Sequence, residues 1–256
     1  LKKKKNGWKQ KQSRVQIQVR HVDKFVERKE KEWPLKRTKW TKFYLNPVDT
    51  SLTTKSVTSR EKVTYDALAD GLTFLSSPFQ KETEITGPSA ARLWVSSSTR
   101  DADLFLILRV FSPNMEEVVF QGALDPHTPI AQGWLRASHR KLHKSLSRIY
   151  RPYHTHDEKQ LLKPGQAVQL DIEIWPTSIV VPASYRIALT VRGKDYEYSG
   201  GPGEGLATMK NVFRGCGPFL HDDPRDRPKN VFGGKNSLHF GPKQRPYVLL
   251  PIVPSK

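Results

Sequence analysis

The sequence predicts an all-β protein, a β-sandwich of jelly-roll type with long loops and little helix. Three observations predict it. Short β-branched or aromatic runs recur along the chain, separated by turn residues. No stretch sustains a helical apolar period for more than a few turns. The strand-like runs also fall into two burial patterns. Leu104-Phe105-Leu106-Ile107-Leu108 is apolar on both faces, as a central strand requires. Val168, Leu170, Ile172 and Ile174 instead alternate with Gln169, Asp171 and Glu173, which leaves one face wet.

Taken in order, the first strand is Arg14–Arg20, where Val15, Ile17 and Val19 alternate with polar residues. A Trp/Pro-rich stretch, Glu32-Trp33-Pro34-Leu35, leads to a short extended run at Lys42–Leu45. Asn46–Arg60 is rich in Ser and Thr and reads as a loop. Val63–Asp66 and Leu72–Leu75 follow, with Asp70-Gly71 as the turn signal between them. Further strands are expected at Ala90–Ser96, Asp103–Phe111, Glu117–Gln121, Ala167–Ile174, Tyr185–Val191, Ser237–Phe240 and Tyr247–Val253. Pro113-Asn114, Pro164-Gly165 and Pro182-Ala183 separate some of them. The best helical stretch is Ala137–Arg148, with Leu142 and Leu146 four apart, and it also reads as a loop with a single turn. The Gly- and Pro-rich interval Glu197–Phe232 is too long for an ordinary connection and is expected to wrap over the sandwich.

Composition narrows the functional classes. The 256 residues carry 43 Lys and Arg against 25 Asp and Glu, a formal net charge of +18. Residues 1–42 hold 16 of those cations and 4 of the acids, a local surplus of 12. A polybasic start such as Lys2-Lys3-Lys4-Lys5 attracts phosphates and acidic surfaces. Nucleic-acid binding needs stacking aromatics in a groove or a recognition helix as well, so a solvated basic face is the preferred reading. The longest apolar run is far short of the roughly 20 residues of a membrane span. One cysteine, Cys216, excludes an internal disulfide framework and is expected to be a buried, inert thiol. The chain starts at Leu1 with charge and no apolar core behind it, which reads as no secretory signal, a cytoplasmic location and a piece of a longer polypeptide.

Several chemistries fail on inspection. A nucleophile elbow needs Gly-x-Ser-x-Gly at a strand-to-helix turn. Gly87-Pro88-Ser89-Ala90-Ala91 lacks the last glycine and precedes a strand. A phosphate-binding loop fails because Gly234-Lys235 is followed by Asn236 and position 229 is Lys. Gly200-Gly201-Pro202-Gly203-Glu204-Gly205 reads as a flexible loop. His139 and His143, His154-Thr155-His156-Asp157-Glu158 and His221-Asp222-Asp223 hold metal-ligand types, but zinc needs three or four to converge. The expectation is hydrogen bonding to loop backbone, with no metal and no cofactor.

One set of motifs is specific in its order. It runs Trp33-Pro34, Tyr44-Leu45, Ile85-Thr86-Gly87-Pro88, Leu93-Trp94-Val95-Ser96-Ser97, Asp101-Ala102-Asp103-Leu104-Phe105 and Gly133-Trp134-Leu135-Arg136-Ala137-Ser138-His139-Arg140. Leu162-Lys163-Pro164-Gly165 and then Leu170–Ser178, with Trp175-Pro176-Thr177 inside it, complete the series. Over residues 13–256 the chain resembles the C-terminal domain of the X-prolyl dipeptidyl aminopeptidase and cocaine esterase hydrolases. The segment Gly215–Pro224 is similar to a subgroup only. Ser184-Tyr185-Arg186 departs from the family's usual Gly-His-Arg.

The resemblance implies a galactose-binding-like jelly roll that packs on an α/β-hydrolase domain. It implies a Ser-Asp-His triad in that other domain and no catalytic residue in this chain. Residues 1–12 are then a basic tail, the remnant of the hydrolase domain, and 13–256 are the sandwich. The expected function is a non-catalytic companion that supports the catalytic domain and its substrate cleft. Carbohydrate binding and basic nucleic-acid binding are the alternatives, and self-association is an open partner expectation. The residues expected to face a partner domain or a ligand are Trp134, His139, His154, His156 and Trp175. For the two tryptophans core packing is preferred, and exposure would instead mark the hydrolase interface.

Overall fold

The computed structural model describes residues 7–120, 127–199 and 220–254. A four-residue helix, α1 (Trp8–Lys11), precedes the strands. These are β1 (Val15–Arg20), β2 (Phe25–Glu30), β3 (Lys39–Leu45), β4 (Ser51–Thr53), β5 (Glu61–Asp66), β6 (Leu72–Ser76) and β7 (Thr83–Ser97). After them come β8 (Asp103–Phe111), β9 (Ala131–Arg136), β10 (Val168–Val181), β11 (Arg186–Arg192), β12 (Lys235–Phe240) and β13 (Tyr247–Val253). A second four-residue helix, α2 (Lys229–Phe232), leads into β12. The all-β expectation holds.

Among the described residues the strands form one curled sheet in the order β2-β1-β10-β7-β13-β3-β4-β6-β11-β8-β9, with β12 bridging β5 and β7. Curling folds the sheet onto itself. Leu93, Val95, Ile172 and Val248 from one half meet Leu104, Leu106, Leu108, Ile187 and Leu189 from the other in a single core. β1–β10 and β4–β6 are parallel pairs, and the others are antiparallel.

β8 has the limits read from the sequence and the apolar pattern of a strand covered on both sides. Leu104, Leu106, Leu108 and Val110 enter the core. On the other face Phe105 and Ile107 are also buried. The cover over Phe105 includes the described C-terminal end of the long interval expected to wrap the sandwich. The guanidinium of Arg227 lies 5.1 Å from the Phe105 ring centroid. It donates to the Asp103 carboxylate at 2.9 Å and to the Gly193 carbonyl at 2.6 Å. Buried and paired, it latches the returning chain over β8.

Several boundaries differ from the sequence reading. β7 begins at Thr83 and β10 continues to Val181, each well beyond the expected apolar run. β2 and β9 were not anticipated; charge in β2, and Gly133 with few β-formers in β9, mask their pattern. The expected loop Asn46–Arg60 contains β4. The described part of the expected strand Glu117–Gln121 makes only isolated bridges, Phe111 to Glu117 and Phe120 to Thr128. The helical stretch reduces to a 3-10 turn at Ala137–His139. The strands flanking Asp70-Gly71 part company, β5 to β12 and β6 to β4 and β11.

Candidate functional site

The site grows from one backbone irregularity. Pro88, inside β7, has no N–H to give to a neighbour. The β7–β10 ladder shifts there. Ile174 lies opposite Ser89 and Thr177 opposite Gly87, so Trp175 and Pro176 together face the single residue Pro88. This is a β-bulge, and it changes the phase of β10. Leu170, Ile172 and Ile174 point into the core before it, and Ile179 and Val181 after it. β13 shifts register at the same level, between Leu249 and Ile252, where a Cβ on Gly87 would come within 2.9 Å of Pro251.

Trp175 follows the inward-facing Ile174, so strand alternation turns it outward, 61% exposed, and the bulge leaves Pro176 outside beside it. The expectation of core packing is therefore corrected for Trp175: it stands on the outward-facing side of β10, one residue past the inward row of Leu170, Ile172 and Ile174. Trp134 is half-buried on β9, in register with Phe105 of β8. β9 is not hydrogen-bonded to β10 but lies against it. A Cβ on Gly133 would sit 2.1 Å from the Glu173 carbonyl oxygen. That close approach brings the two indoles edge to face, with centroids 4.9 Å apart and planes at 69°. The Trp134 indole N–H is buried without an acceptor.

An imidazole flanks this pair. The His221 ring lies 6.4 Å from Trp134 and 5.6 Å from Phe105. The buried Asp195 carboxylate accepts from the His221 backbone N–H at 2.6 Å and pairs with its Nδ1 at 2.8 Å. With the Nδ1 proton directed at the carboxylate, Nε2 is the nitrogen left for other partners. The sequence reading placed His221 with its neighbours Asp222 and Asp223. The true partner is 26 residues upstream, and no local spacing announces it.

The remaining expected residues form a second group. The Nδ1 atoms of His139 and His156 are 3.3 Å apart, and the rings of His154 and His156 are 6.0 Å apart. Burial pulls the His154 pKa below its ordinary value, with the neighbouring His156 and His139 reinforcing it and Asp171 opposing. Among the described residues no group of three or more His, Cys, Asp or Glu could hold a metal ion. His143 lies elsewhere, bonded to Ser145 at 3.2 Å. Cys216 and the Gly200–Gly205 run lie outside the described residues. Ser89, the serine of the failed elbow motif, is buried in the middle of β7 opposite Ile174. No helix among the described residues is long and apolar enough to cross a membrane.

Comparison with known proteins gives a consistent picture. Residues 6–249 match the X-Pro dipeptidyl-peptidase C-terminal non-catalytic domain. A solved CocE/NonD family hydrolase from Staphylococcus aureus is similar over 99% of this chain and 44% of its own, with 26% identity and a TM-score of 0.81. A Mycobacterium bovis protein named as a serine esterase is 29% identical over 153 residues, which is 58% of this chain and 21% of the esterase. An aminopeptidase from a marine-sediment Thaumarchaeota archaeon, at 12% identity and TM-score 0.61, shares the fold. The chain thus spans about a fifth of its curated relatives and less than half of the solved ones.

Proposed function

Since the chain belongs to the family of X-Pro dipeptidyl-peptidase C-terminal non-catalytic domains, we propose that it serves as the accessory β domain of a serine hydrolase acting on esters, amides or X-Pro peptides. It packs on the catalytic α/β-hydrolase domain and helps to wall the substrate cleft. Residues 1–12 are the end of that catalytic domain, and 13–256 are the accessory unit. A single cysteine and a hydrolytic partner fit a cytoplasmic setting.

The observation that carries the reading is the Trp134–Trp175 pair. An exposed indole at Trp175, packed edge to face on the half-buried Trp134, is what an interface core requires. His221, beside Trp134 and paired to Asp195 through Nδ1, supplies a polar group that can bond across such an interface.

The test is solvent access. In this chain, iodide should quench the part of the fluorescence that Trp175→Phe removes. With the chain joined behind a CocE/NonD-type catalytic domain, that part should become resistant to quenching. Unchanged quenching would refute the packing. Alone, the chain should not turn over p-nitrophenyl esters or X-Pro-anilides. Turnover blocked by a fluorophosphonate, and traced to a serine in these 256 residues, would sink the accessory assignment.

A further inference from the structure

A cleft of about 440 Å³ opens beside Trp175, between β1, β10 and the segment before β9. Ile17, Trp33, Pro129, Ile130 and Pro176 give it largely apolar walls, and Trp175 forms one side. Arg20 is the sole charged residue among its lining residues. This size suits a small molecule or a single side chain with its flanks.

Arg20 is held in place by acceptors that carry no charge. Its Nε donates to the Ser178 carbonyl at 3.3 Å, and Nη2 donates to the Ile130 carbonyl at 3.1 Å and to Thr177 Oγ1 at 2.5 Å. The guanidinium carbon lies 4.4 Å from the Phe120 ring centroid. Among the described residues Nη1 has no acceptor, and no carboxylate opposes the desolvation that pulls the guanidinium pKa down. The other partly buried arginines mostly have an acid: Arg28 has Glu84, Arg109 has Glu117, Arg136 has Asp103 and Arg227 has Asp103. A fixed guanidinium in an apolar cleft, with one nitrogen to spare, matches an anion of single charge. A phosphate would call for a second cation, and none lines the cleft.

We infer that this cleft is a binding site for a carboxylate carried on an apolar or aromatic body, with Arg20 Nη1 on the carboxylate and Trp33 and Trp175 against the body. The carboxylate can come from a free acid, such as the acid released by ester or amide hydrolysis, or from an acidic side chain of a protein segment. The inference shares Trp175 with the interface proposed above, and its test uses this chain by itself, so its failure and the failure of that reading are distinguishable.

Two probe pairs separate the sources. The free acid 3-phenylpropionate is titrated against its amide, and acetyl-Trp-Glu-amide against acetyl-Trp-Gln-amide, by calorimetry or NMR. At least one acid should bind about tenfold or more tightly than its neutral partner, because a charge-assisted hydrogen bond is lost in the latter. Arg20→Gln should erase that preference. Preference in the first pair assigns the site to small acids, and in the second to a protein segment. Equal affinity within both pairs, no binding of either acid, or an unchanged preference in Arg20→Gln would overturn the inference. The acid–amide comparison needs no mutation, so it decides the matter even if Arg20→Gln fails to fold.

Discussion

Gly133 is where one atom decides whether two strands can touch. A methyl group there would meet the Glu173 carbonyl oxygen at 2.1 Å, and that obstacle is backbone, which cannot swing aside. Gly133→Ala should therefore push β9 off β10 and cost about 2 kcal/mol in denaturant melts. The indole contact should loosen with it, seen as a red shift of Trp emission. His154 gives a second residue-scale prediction. Burial favours its neutral form, so the unfolded chain binds the proton more readily than the folded one. Its contribution is present above the unfolded value of roughly 6.5 and declines as pH falls below it. Stability measured from pH 7 downward should drop through this window, and less steeply in His154→Gln. At this scale the sequence reading singled out Trp134, His139 and Trp175 within ordered motifs and His154 and His156 by their local spacing, and the fold brings the two tryptophans together and the three histidines together. It missed the Asp195–His221 pair because a contact across 26 residues depends on how the long interval returns, which no local pattern encodes.

Among the elements, β8 was legible to the residue because both its faces are buried and every side chain reports that. β10 was legible only to Ile174. The apolar alternation Leu170, Ile172, Ile174 resumes out of phase at Ile179 and Val181, and a phase change across Trp175-Pro176 is the mark a bulge leaves in a sequence. β7 was cut short for a related reason: Gly87-Pro88 looks like a breaker, yet the strand passes through it. α1 contributes differently. It is four residues long, lies outside the sheet, and Trp8 is 64% exposed. Deleting residues 1–12 should leave the β circular-dichroism spectrum intact and move the melting temperature by no more than about 2 °C. A large fall would show that α1 helps hold the sheet.

For the molecule as a whole, the sequence led to the architecture because strand signals, turn signals and the scarcity of helical period agreed. The concentration of positive charge in residues 1–42 was less informative than it looked. In the described part, Arg28 and Arg37 share Glu30, and Arg28 also pairs with Glu84, so some of that charge is answered within the fold. What the sheet does with its tryptophans follows from chain direction and closure, which composition does not contain.

The irregularity at Pro88 has one more effect. Position 175 faces outward because position 174 faces inward, and the bulge lets position 176 stay outside beside it, whatever side chains stand there. Side chains of other shapes at 175 would be held out in the same way, and the interior would not register the change. The protein thus keeps a fixed mount whose fitting can be replaced without disturbing the framework that displays it.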